Sequence, residues 1–319
     1  MRALLLGILL ALAHSPSSAQ GEPFPSRPVR LIVPFSTGGV IDIVARLVAP
    51  KLQERLGQPV VVENRPGAGG KLAADAVAKS APDGHTLLVG GTSYAIDPAL
   101  RPQLAVDVLK TLQPVCLLNE QQYVLVAGPG AASASLDELL GALRAKPGGY
   151  SSGISGAGTM AHLATELFRT GAKVDFVGVT YKGSGQMMSD LLGGQIAFAI
   201  DPIASHIANI RSGKVKALAV AGGARSSLLP DVPTLLESRL PVEASGWVGL
   251  FAPAGTPAAV SRRISDEARW ATSQPDVRER LALAGVEPSA STPEEFTSHV
   301  RGELDKWGRV IRERGIRID

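Results

Sequence analysis

Four short stretches combine hydroxyls and glycines in patterns that could do chemistry: Ser36-Thr37-Gly38-Gly39, Thr92-Ser93, Ser155-Gly156-Ala157-Gly158-Thr159 and Tyr181-Lys182-Gly183-Ser184. The first follows the apolar run Arg30-Leu31-Ile32-Val33-Pro34-Phe35 and leads into a helical pattern with Asp42 in its first turn. A small-residue loop ahead of a helix leaves backbone N–H groups without partners, and the helix dipole behind them favours an anion. Many neutral donors with few charges suit holding an anion without reacting with it. Lys182 is the one cation in the set.

Catalytic patterns fail on residue chemistry. A phosphate loop at Gly69-Gly70-Lys71 has Leu72 where a hydroxyl must reach the metal, and Arg65 where the first glycine is needed. Gly153-Ile154-Ser155-Gly156 begins like a nucleophile elbow, but its fifth position is Ala157. Gly156-Ala157-Gly158 lacks the acidic residue on a following strand end that a dinucleotide ribose requires, since Asp175 opens a strand. Ser155 with His162 keeps an exported hydrolase as an alternative, although no acid is placed to orient the histidine. His85, His162, His206 and His299 show no metal-ligand spacing, so neither a metal nor a cofactor is expected. His162 lies one turn into the helix after the third loop, where it either braces that loop or meets ligand.

The elements that must position these loops are legible in order. Met1-Arg2, an apolar run from Ala3 to Ala13 and Ser17-Ser18-Ala19 form a cleavable export signal over residues 1–20, too short to anchor in a bilayer. Thirty-two Lys and Arg against twenty-nine Asp and Glu, with 4% aromatics, give no basic stripe, so nucleic acid is not an expected partner. Cys116, the single cysteine, reads as a buried small hydrophobe. Ile41, Val44, Val48, Leu52 and Leu56 mark one buried helical stripe, which Pro50 is expected to kink or shorten. Strands at Val60 to Glu63 and Thr86 to Val89 complete a β-α-β-α-β pattern, the signature of an α/β fold with a parallel sheet. Tyr123 to Val126 reads as a strand leaving this unit, after a less regular passage. Ser135-Leu136-Asp137-Glu138 has capping-box form, and the β-loop-α pattern then repeats through Val220. A proline-rich return over Leu229 to Glu243 precedes a strand at Trp247 to Phe251, and Thr292-Pro293-Glu294-Glu295 opens a closing helix. The organisation is two α/β units with the second inserted: residues 21–122 plus 244–319 for the first lobe and 123–243 for the second.

PFSTGGVIDIVAR, QPVVVENRPGAGG, APDGHTLL, GTMAHLATELF, YKGSGQMMSDLLGGQI, LLPDVPT and GWVGLFAPAGTP, in this order, resemble the Bug-type periplasmic solute-binding proteins of the tripartite tricarboxylate transporter class. The resemblance runs nearly end to end after the signal. It implies a two-lobed, Venus-flytrap periplasmic binding protein of type II with two interdomain crossovers, a monomer without cofactor. It further implies capture of a small carboxylate in the cleft by loop amides and bridging waters rather than arginine, and delivery to membrane permease subunits. A sensor reporting to a membrane kinase shares that fold and stays open. Carried over by motif, the ligand contacts are Phe35, Ser36, Thr37, Gly38, Gly39, Thr92 and Ser93 in the first lobe, with Asp42 bracing the helix start. In the second they are Gly156, Ala157, Gly158, Thr159, His162, Tyr181, Lys182, Gly183, Ser184 and Asp201. Ser36-Thr37 replaces the usual proline pair, and Gln186-Met187, Lys71 and His85 are further departures. Selectivity is therefore expected to begin at Ser36 and Thr37.

Overall fold

The computed structural model describes residues 24–131, 133 and 135–317; the expected export signal lies outside them. The first unit begins β1 (Val29–Val33), α1 (Val40–Leu56), β2 (Val60–Asn64), α2 (Lys71–Ala78), β3 (Thr86–Gly91), α3 (Ser93–Leu100) and α4 (Val108–Thr111). A sixteen-residue strand, β4 (Leu112–Ala127), follows. Then come α5 (Leu136–Ala145), β5 (Ser151–Ile154), α6 (Met160–Ala172), β6 (Val177–Thr180), α7 (Ser184–Leu192), β7 (Phe198–Pro202), α8 (Ile203–Arg211) and β8 (Lys216–Val220). The chain ends with β9 (Ser245–Pro253), α9 (Ala258–Ser273), α10 (Pro275–Leu283), β10 (Glu287–Pro288) and α11 (Pro293–Arg314).

Two sheets share β4. Its first half pairs antiparallel with β9 and, near Asn119 and Glu120, with β10, closing a sheet in the order β2-β1-β3-β9-β4. Its second half pairs antiparallel with β7 and β8, and β5 and β6 continue that second sheet in parallel. The strand expected at Tyr123 to Val126 therefore extends back to Leu112. Bulges at Pro114/Cys116 and Leu117/Asn119 blur its alternation. Strand β9 lies wholly in the first sheet, between β3 and the first half of β4, so the chain has returned to that sheet by Ser245.

Local chemistry accounts for the element ends. Helix α1 buries Val44, Val48, Leu52 and Leu56, while Pro50 lies on its exposed face. There the carbonyl that Pro50 leaves unpaired can meet water, so the helix is not shortened and runs on to Leu56. Gly57, at φ +69, closes it in the left-handed region that glycine adopts freely. Both hydrogen bonds of the Thr292–Glu295 capping box form at the start of α11. That helix is fastened to β9 by Glu303, which accepts from the indole N–H of Trp247 at 3.2 Å and of Trp307 at 2.8 Å. No helix among the described residues is long and apolar enough to cross a membrane.

Candidate functional site

The loop from β1 to α1 is held from behind. Gly38 N–H donates to Asp42 at 3.0 Å, and Asn64 Nδ2 donates to both Asp42 and the carbonyl of Phe35 at 2.9 Å. Arg46 Nε closes the set at 3.0 Å from Asp42. Burial would raise the Asp42 carboxyl, but the bonds from Arg46, Gly38 and Asn64 outweigh it and hold the group below the usual range. Asp42 therefore faces inward and is occupied by the protein. The hydroxyls of Ser36 and Thr37 point the other way, exposed and without hydrogen bonds to described residues, and Gly39 leaves the helix start without a side-chain cap.

That loop forms one wall of a cleft of about 690 Å³. Phe35, Ser36, Thr37, Gly38 and Gly39 line it with Val40, Ile43 and Ala284; the facing wall is Lys182, Gly183, Ser184, Gly185, Met188, Pro202, Ala204 and Ser205. Lys182 is the one ionisable side chain on either wall, exposed and without an ion pair among the described residues. The volume suits a small organic molecule. The apolar contributors, Ile43 and Met188 among them, were missed by sequence reasoning; their place one or two turns beyond the glycine loops was the available signal.

The remaining predicted residues do not line this cleft. Thr92 Oγ1 accepts the N–H of Trp247 at 2.8 Å and so ties β3 to β9. Ser93, which begins α3, has a buried hydroxyl without a partner. Tyr181 is buried and donates its hydroxyl to Asp190 at 2.8 Å; burial and that carboxylate push the phenol up to about 12. Asp201 is fully buried, accepting from the Ser155 hydroxyl on one oxygen and lying 3.0 Å from His206 Nε2 on the other. Thr92, Tyr181 and Asp201 are each engaged by the protein, because the end of a buried strand leaves polar groups that need partners.

The third loop is likewise braced. Thr159 accepts from His162 N–H at 3.4 Å and donates to Gly156 O at 2.8 Å, while Gly158 N–H donates to His162 Nδ1 at 3.2 Å. Burial, with Arg101 and Arg169 nearby, lowers the His162 value against the opposing pull of Glu166, which keeps that nitrogen free to accept. Of the two roles left open for His162, the loop brace is what its ring performs here. Ser155 donates to Asp201 and not to His162, so the hydrolase pairing does not form. An unforeseen residue also reaches this loop: Arg101, beyond the end of α3, donates to Ala157 O at 3.4 Å. An arginine from outside the loop sequences thus approaches the third loop through space. Its spacing of four from Asp97 was the only hint.

Residues 44–316 match the family model described as the tripartite tricarboxylate transporter family receptor. The chain is 39% identical to protein BugT of Bordetella pertussis over 319 residues, covering 98% of this chain and 97% of that one. Among solved structures it is similar to MatC of Rhodopseudomonas palustris with bound malate (TM-score 0.81, 36% identity, 90% of this chain and 100% of that one). A second protein of R. palustris, solved with adipate, superposes with a TM-score of 0.85 at 31% identity, over 92% of this chain and 99% of the other.

Proposed function

The chain belongs to the tripartite tricarboxylate transporter receptor family, a family of periplasmic solute receptors, and from that membership we propose the reading that follows. The protein captures a small carboxylate between its lobes and passes it to the membrane permease subunits of a tripartite transporter. The observation that carries this is the cleft itself, where exposed hydroxyls and an uncapped helix start face a single lysine and no acid. Such a lining compensates a carboxylate by hydrogen bonds and one positive charge, and offers no nucleophile to attack it. The malate and adipate bound to similar proteins belong to the same chemical class.

In this reading the first lobe is residues 21–122 with 244–319 and the second is 123–243, so the outward boundary cuts β4 at its change of sheet. Residues 1–20 direct export and are removed, and the working unit is a monomer. Ser36 and Thr37 donate to the carboxylate, the backbone from Phe35 to Gly39 cradles it, and Lys182, Gly183 and Ser184 close from the other side. Backbone groups of Thr92, Ser93 and Gly156 to Thr159 complete the shell when the lobes close, with Asp42 and His162 holding the two loops in shape. Ligand favours the closed arrangement, and the permease reads that arrangement.

Isothermal titration of ligand-free protein against succinate, malate, adipate, citrate, aspartate and benzoate tests the reading. At least one should bind, and Ser36→Ala with Thr37→Ala should reorder the ranking while Lys182→Ala weakens dianions more than monoanions. Silence across the panel from folded protein would sink the carboxylate assignment.

A further inference from the structure

Arg101 stands where the first lobe meets the third loop of the second. Its guanidinium is pinned by Asp97, which accepts Nε at 2.9 Å and Nη2 at 2.7 Å on the same oxygen. The side chain is 17% exposed and Asp97 only 3%, so the pair is sheltered from water. With that edge so used, Nη1 is left to donate to Ala157 O of the second lobe at 3.4 Å. Its flat face lies on glycine from both lobes. A Cβ at Gly158 would stand 2.3 Å from Arg101 Cζ, and one at Gly69 would stand 3.3 Å from Nη2. Gly158 also has φ +71, so the loop offers the clasping residue a bare backbone in a conformation that glycine adopts freely.

We propose that Arg101 is an inter-lobe positioning residue: held by Asp97, it clasps the Ala157-Gly158 edge of the second-lobe loop and sets how much of the protein is closed. A guanidinium is suited to this because its planar fork is oriented by one carboxylate while a free edge donates elsewhere. The loop that it holds is the one braced by Thr159 and His162, so the clasp acts on a rigid unit and moves the whole lobe. Since apparent affinity scales with the fraction of protein in the competent state, loosening the clasp weakens capture without touching a ligand contact. The significance for transport rests on the receptor reading; the clasp does not.

The test measures inter-lobe distances by pulsed electron resonance between nitroxides at Lys79→Cys and Arg144→Cys, Cys116 being buried and unlabelled. Spectra are recorded without additive and with succinate, malate or adipate. Arg101→Gln should lose the short-distance population and raise the ligand off-rate about tenfold with little change in on-rate. Arg101→Lys, which keeps the charge but not the fork, should fall between. Asp97→Asn with Arg101→Gln leaves no unpaired buried charge and should reproduce the open distribution if the single variant folds poorly. Distributions identical to wild type in every condition overturn the clasp, as does a fall in melting temperature with unchanged distances. Panel binding with Arg101-independent distances removes the clasp and keeps the receptor; a silent panel with Arg101-dependent distances does the reverse.

Discussion

At the scale of single residues, the site is built from side chains that turn inward so that a few others can face out. Asp42, Asp201, Thr92 and Tyr181 all satisfy protein donors or acceptors, and the loops that they hold present Ser36, Thr37 and Lys182 to the cleft. His162 is the clearest case with a pH signature. Its folded value lies below the ordinary 6.5, because burial and Arg101 and Arg169 disfavour the cation more than Glu166 favours it. Neutral imidazole is therefore the folded form. Its contribution is complete above pH 6.5 and is lost as pH falls through the depressed value. Thermal melts from pH 7.5 to 5 should show wild type losing stability on this account, and His162→Gln, whose amide oxygen can accept from Gly158 without titrating, should flatten that part of the profile.

At the scale of elements, helix starts fix the loops, and each start uses a different device. Helix α6 has Thr159 as its cap, whereas α1 is left uncapped at Gly39 and anchored instead by Asp42 in its first turn. That difference leaves the first loop's outer N–H groups available to an anion. Helix α11 has no such duty and carries the full capping box. Thr292→Ala should cost about 1 kcal/mol in urea denaturation, typical of a lost cap. Ligand affinity should be unchanged, because no residue of α11 lines the cleft.

At the scale of the molecule, the cleft depends on how closely the lobes approach. Arg101 joins them through Ala157, and a second approach lies at Gly285, in the turn between α10 and β10. There φ is +67, and a Cβ would stand 2.4 Å from the Cα of Ala204, a cleft residue at the start of α8. Backbone on the far side cannot rotate away as a side chain could. Gly285→Ala should hold the lobes apart, seen as a larger radius of gyration by small-angle scattering and as affinity weakened by tenfold or more for whichever carboxylate the wild type binds.

Much of this molecule was determined by the sequence alone. Apolar periodicity located the strands and helices, because a buried stripe must recur every 3.6 residues in a helix. Glycine and hydroxyl loops at strand ends marked the cleft walls at Phe35 to Gly39 and Lys182 to Ser184, because local backbone conformation demands those residues. The shared strand β4, the bond from Ser155 to Asp201 across 46 residues and that from Arg101 to Ala157 across 56 were decided only by the tertiary structure. Periodicity reports which face of an element is buried but not what lies against it. Partners for Asp201, Thr92 and Arg101 exist only once the two sheets have packed around β4 and the lobes have met.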